Sequence, residues 1–189
     1  MSSADVFTIE PEQVRPLKRS EYHQMIGLGL FQNERVELIR GVLVKMSPQH
    51  APHASTIQEL AELLTTQLQK RFKVRSPLPL ALSDDTEPEP DIAVVTLGKY
   101  QTEHPTTALL VIEVSDSSLK ADRRKAAVYA SASVGEYWIV NLAARTVEVY
   151  SSPERGRFTE VRTLRPGDVL RPSTVPDVEI AVSEILPDI

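Results

Sequence analysis

Two carboxylates, Asp91 and Glu113, are of a type and spacing that could do chemistry together. Glu113 closes the apolar run Leu109-Leu110-Val111-Ile112. Side chains alternate along a strand, so if Ile112 and Val114 face one side, Glu113 faces the other. A carboxylate there is costly to bury unless an ion pair, hydrogen bonds or a metal ion compensates it. Asp91 follows Glu-Pro-Glu-Pro, where Pro90 keeps Glu89 extended and fixes the approach to the next strand. Each residue alone also has an ordinary reading, as a strand-end carboxylate in solvent or paired to an arginine. On neighbouring strands the two could converge on one divalent ion. Oxygen donors suit Mg²⁺ or Mn²⁺, with water and a substrate phosphate completing the shell. Lys125 belongs to the helix that should follow the Glu113 strand. There Asp122, Lys125 and Tyr129 share one face by their i, i+3, i+7 spacing. Turned inward, Lys125 would hold or activate an attacking water and stabilise charge developing at phosphorus. Turned outward, it is one more solvated charge beside Lys120, Arg123 and Arg124.

Other polar residues carry two readings each. His53, near a helix start, would contact phosphate or shuttle a proton, or serve as a partly buried residue of the cap region. Ser115 would orient a ligand through its hydroxyl, or make a helix-entry hydrogen bond. Tyr137-Trp138 could pass for a base-stacking platform, but within Glu136-Tyr137-Trp138-Ile139-Val140 the strand pattern assigns both rings to the core.

These residues need a scaffold, and its elements are legible in outline. Ala108 to Val114 is the most continuous apolar run and so the expected buried central strand. Asp116 to Ser118 offer cap chemistry for a helix running to about Ser131. Glu136–Leu142 and Arg145–Ser151 read as a strand pair. Upstream, Ser20 is the expected N-cap of a helix to about Leu30, and Val36 to Met46 reads as a hairpin about Gly41. Pro48 and Pro52 mark a break. The face Ile57, Leu60, Ala61, Leu64 and Leu68 predicts a core-facing helix over His53–Lys70, with Ser55 and Gln58 as a capping box. Lys73–Leu80 and Asp91–Val95 are expected strands, separated by an acidic, proline-containing loop. The tail to Ile189 should hold short strands and turns. The class that follows is mixed α/β: a central sheet flanked by helices with peripheral β-hairpins. The whole of 1–189 is taken as a single domain, with 1–15 as a loose N-terminal arm.

Bulk composition narrows the chemistry. The chain lacks cysteine, which excludes a disulfide framework, a thiolate nucleophile and a Cys-based zinc site. It fits a cytoplasmic compartment. The opening residues show neither the basic nor the apolar stretch of a secretory signal, and no apolar run is long enough to span a membrane. The net charge of −5 removes the overall basic footprint of a sequence-independent nucleic-acid binder. Any nucleic acid would have to be held by a local basic patch, a metal ion or an oligomer.

Pro90-Asp91, followed by Glu113 at the end of the next apolar strand, resembles the PD-(D/E)xK nuclease superfamily. The usual Glu-x-Lys triplet is replaced here by Glu113-Val114-Ser115. The block Val111 to Ser118, then Asp122, Lys125 and Tyr129, then Gly135-Glu136-Tyr137-Trp138-Ile139-Val140, is more specific. It is similar to the Uma-two family of restriction-endonuclease-like proteins, and the resemblance runs from about Arg35 to Tyr150. Ser133, Asn141 and Arg40 depart from the family pattern without touching the three central residues. The resemblance implies a restriction-endonuclease-like fold. It also implies that Lys125, four residues before Tyr129, takes over from the missing strand lysine. Glu37 matches an additional acidic position that helps hold metal, though it also reads as a hairpin surface residue. Asp91, Glu113 and the Val114 carbonyl would then hold Mg²⁺ or Mn²⁺ for hydrolysis of DNA, and a homodimer is implied. A different class stays open: the same fold with a relaxed site, acting as a binding or scaffold protein without catalysis. A Lys125 amine turned to solvent, more than about 8 Å from the carboxylates (roughly a Debye length), would favour that alternative.

Overall fold

The computed structural model describes residues 14–187, so most of the expected N-terminal arm, residues 1–13, lies outside the described residues. The elements run α1 (Arg19–Gly27), β1 (Val36–Ile39), β2 (Val42–Lys45), α2 (Ala51–Leu68), β3 (Lys73–Arg75), β4 (Ile92–Val95), β5 (Leu110–Ser115), α3 (Leu119–Ser131), β6 (Glu136–Asn141), β7 (Thr146–Glu154), β8 (Arg157–Leu164), β9 (Val169–Leu170) and β10 (Ile180–Ala181). A mixed six-stranded sheet in the order β3-β4-β5-β6-β7-β8 forms the centre, with β1-β2 and β9-β10 as small antiparallel ribbons. The expected α/β class and flanked mixed sheet are what the chain adopts. Among the described strands only β5 and β6 pair in parallel, and α3 is the crossover between them.

Strand alternation divides the sheet into two apolar faces. Ile92, Val94, Leu110, Ile112, Val114 and Trp138 pack on one face with Ile57, Leu60, Leu64 and Leu68 of α2 and with the apolar residues of the tail. Ala93, Val95, Val111, Tyr137 and Ile139 pack on the other with Tyr129 and Val134. Tyr137 and Trp138 are fully buried, as the strand pattern requires. Glu113 shares its parity with Val111 and therefore faces α3.

Several local expectations are corrected. Lys18, not Ser20, caps α1, because its backbone N–H is taken by Glu21 at 2.9 Å, and the helix ends at Gly27 rather than Leu30. Helix α2 begins two residues before His53, with His50 as N-cap and Pro52 inside the first turn, where a missing N–H costs nothing. Ser55 and Gln58 therefore form no capping box; Gln58 bonds Glu62 instead. Strand β3 stops at Arg75, before Pro77 and Pro79 remove further ladder donors. Within the tail, β8 is a full edge strand of the main sheet. The β1-β2 turn uses Arg40 and Gly41 at φ 50° and 74°, so the glycine takes a conformation open to few other residues. No described helix is long and apolar enough to cross a membrane.

Candidate functional site

The site is assembled at one end of β4 and β5. The ladder Ile92↔Ile112 and Ala93↔Val111, continued one residue beyond the pairing, sets Asp91 opposite Glu113. Asp91 is fixed there because its Oδ2 accepts the Val114 N–H at 2.8 Å. The β1-β2 hairpin docks on the loop before β4 through a bridge between Leu38 and Glu87. Docking carries Glu37 inward, where its Oε2 accepts the Glu89 N–H at 3.2 Å.

Lys125 closes the arrangement from α3. Its Nζ lies 2.8 Å from Glu37 Oε1 and 3.0 Å from Glu113 Oε1. The Tyr129 hydroxyl, one helical turn further, donates to the same Glu113 oxygen at 2.8 Å. The other Glu113 oxygen takes part in neither bond. Tyr129 is held in turn by the Tyr137 ring, 4.8 Å away between centroids, whose hydroxyl donates to the Asp122 carbonyl. The face Asp122, Lys125, Tyr129 thus points inward, as its spacing allowed.

His53 reaches over from α2, with Nε2 3.3 Å from Asp91 Oδ2. Its Nδ1 and the Ser115 hydroxyl are buried with no hydrogen-bond partner among the described residues. Gln49 adds a longer contact of 3.4 Å to Asp91 Oδ1. A cavity of about 100 Å³ opens among Glu37, His53, Glu89, Asp91, Glu113, Val114, Asp122 and Lys125. That is room for a few water molecules or a partly hydrated ion.

Asp122 and Glu89 line this cavity although neither was singled out as a site residue. Both carried a signal: Asp122 is one turn before Lys125 on the same face, and Glu89 is two residues before Asp91 in an extended segment.

Electrostatics separates the members. Burial pushes the Glu113 carboxyl up to about 8; Lys125 opposes the shift, and Asp91, Asp122 and Glu37 add to it. Burial also raises Asp122, against its bond from Ser118. For Lys125, burial acts to lower the amine, but Glu113 and Glu37 outweigh it and hold it firmly protonated. Burial likewise acts to lower His53, and Asp91 reverses the sign. Lys125 is therefore the fixed positive charge, while burial drives the Glu113 and Asp122 carboxyls beside it toward their protonated forms.

Among the described residues no three His, Asp or Glu side chains are grouped closely enough to hold a metal between them. The donor set is smaller: two carboxylates on adjacent strands, with backbone. It suits a hard cation such as Mg²⁺, which keeps several waters and takes only one or two protein carboxylates.

A family model described as "putative restriction endonuclease", Uma2, matches residues 19–183. The chain belongs to the Uma2 family. Among solved structures it is similar to the crystal structure of a "putative nuclease belonging to DUF820" from Anabaena variabilis ATCC 29413. That similarity has a TM-score of 0.72 and 16% identity, over 90% of this chain and 97% of the other. At that identity the likeness speaks for the fold. No curated protein matches the chain.

Proposed function

We infer that this Uma2 protein is a metal-dependent endodeoxyribonuclease that hydrolyses DNA phosphodiester bonds at Asp91, Glu113 and Lys125. The observation that carries the reading is the buried Lys125 amine, 3.0 Å from Glu113. The binding-protein alternative called for an amine turned to solvent, and this one is enclosed. In the proposed mechanism Asp91 and Glu113, with the Val114 carbonyl, would hold Mg²⁺ or Mn²⁺. When bound, the ion supplies Lewis acidity toward a phosphoryl oxygen and toward water.

The protein's own groups do the rest. Lys125, protonated and pinned between Glu37 and Glu113, donates to the attacking water or to a non-bridging phosphate oxygen and balances the charge that develops there. Glu37 and Tyr129 act as positioning residues, one on the amine and one on the Glu113 carboxylate. His53 holds Asp91 from the α2 side, and Ser115 presents a buried hydroxyl beside the same pair of strands. The reading takes residues 1–189 as one domain, the cytoplasm as its compartment and a homodimer as its form, since cutting two strands calls for two sites.

The test is a cleavage assay on supercoiled and linear DNA with Mg²⁺ or Mn²⁺, with Asp91→Asn as the comparison. The expected result is nicking or cutting that needs the divalent ion and disappears in the variant. Identical behaviour of wild type and variant, with no ion bound in Mn²⁺-soaked crystals, would overturn it.

A further inference from the structure

The main sheet ends in two edges, and they are built differently. β3 is three residues long, and Pro77 and Pro79 follow it closely. A short edge closed by prolines offers little to a neighbouring chain. β8 is eight residues long, Arg157 to Leu164, and holds neither proline nor lysine. Its inner side is paired along β7. Among the described residues, no backbone hydrogen bond reaches its outer side. The middle of the strand, Thr159 to Thr163, is exposed throughout, and Val161 keeps 55% of its surface open. An exposed edge of this length, with unused N–H and C=O groups, is a template for another strand.

The order of side chains along β8 says which strand that is. When two copies pair antiparallel about a two-fold axis and their sheets run on as one, residues opposite each other lie on the same face. The axis must then pass through a residue rather than between two. Centred on Val161, the pairing sets Glu160 against Arg162 and Thr159 against Thr163, and symmetry makes each pair occur twice. Opposite charges and threonine pairs placed directly across an antiparallel ladder are favourable contacts. A centre at Glu160 sets two glutamates face to face, and a centre at Arg162 sets two arginines face to face. Centres at Thr159 and Thr163 pair neither charge with its opposite. A single register therefore satisfies the strand, and it needs only a second copy of the same sequence. We propose that two chains associate through the outer edge of β8, antiparallel about Val161, so that one sheet runs through both. This locates the dimer that the proposed function calls for, and it rests on that part of the reading. β8 stands three strands from β5, so the interface lies apart from the Lys125 site and its test needs no cleavage.

The contact is small, so association is expected at roughly 10–100 µM. Sedimentation velocity follows the full chain from about 1 to 300 µM, a range that brackets that strength. Glu160→Arg and Arg162→Glu each replace two opposite-charge pairs by two like-charge pairs, and each should weaken the dimer about tenfold. The double variant Glu160→Arg/Arg162→Glu restores the opposite pairs in exchanged order and should dimerise as wild type does. Val161→Lys, at an exposed position, sets two ammonium groups together on the axis and should leave a monomer. Thermal melts check that each variant folds, since Glu160 also accepts a 3.3 Å bond from Ser151 within the chain. A wild-type chain that stays monomeric throughout overturns both this interface and the dimer of the proposed function. A dimer that none of the changes weakens overturns this interface alone. Single reversals that weaken the dimer without rescue in the double variant overturn the register about Val161.

Discussion

Strands β5 and β6 run in parallel, and each buries one glutamate at opposite ends of the pair. Glu136, opposite Leu110, is fully enclosed. Its Oε1 accepts the Trp138 indole N–H at 2.6 Å, and its Oε2 accepts both the N–H and the hydroxyl of Ser173 at 2.9 and 2.6 Å. Every donor to it is neutral, and both oxygens are used. Glu113 is nearly as buried, yet among the described residues only its Oε1 is used, its donors are Lys125 and Tyr129, and three further carboxylates raise its proton affinity. Burial alone does not tell a structural acid from a reactive one. The difference lies in whether the surrounding donors saturate the carboxylate or leave it facing a cavity with charge still to be balanced.

Substitutions at the two ends should separate these roles. The largest expected effect is on rate. Lys125→Ala should lower metal-dependent DNA cleavage by about 10²–10³-fold, the cost typical of removing one preorganised charge donor. Cleavage unaffected by this substitution would place Glu113 in the same structural class as Glu136. Next, Glu136→Ala should destabilise the fold by about 1–3 kcal/mol, because the Trp138 and Ser173 donors are left buried and unpaired. The activity of the folded fraction should stay intact. Urea unfolding followed by the fluorescence of Trp138, the sole tryptophan, measures it directly.

Tyr129→Phe should have a smaller effect, about 1 kcal/mol of stability. Its rate loss should exceed any change in substrate affinity if the hydroxyl positions Glu113. A loss confined to stability would make Tyr129 a core residue only.

The smallest effect belongs to the surface edge of α3, where Arg123 bonds Glu148 and holds that carboxyl below its ordinary value of 4.5. A lowered native value stabilises the fold above the unfolded carboxylate range, and the contribution is lost as pH falls through the native value. Thermal melts of wild type and Arg123→Ala should therefore differ slightly at neutral pH and converge in acid. A gap that persists at pH 3 would show that the arginine acts through packing.

Much of this was readable before any fold was known, and the legible parts share a cause. The block from Ala108 to Val140 has strong local periodicity, first a continuous apolar strand, then a helical face, then an alternating strand. Each pattern is fixed by backbone geometry within a few residues. Boundaries were less legible where they depend on side-chain competition. Glu21 takes the Lys18 N–H and so moves the start of α1 ahead of Ser20. The eight-residue β8 gave no sign in the sequence that it completes the main sheet, because an edge strand with mostly exposed residues lacks the alternation that marks a buried one.

The sequence by itself determined which residue types were available, that Glu113 sits inside an apolar strand, and that Lys125 shares a helix face with Asp122 and Tyr129. Only the tertiary structure decided that this face turns inward. It also decided that Glu37 arrives from a separate hairpin to grip the Lys125 amine, and that Glu136 is saturated where Glu113 is not. The reason is physical. Periodicity is a property of neighbours along the chain. The charge balance of a buried group is set by residues that are distant in sequence and become neighbours only when the hairpin, the sheet and the crossover helix close on one another.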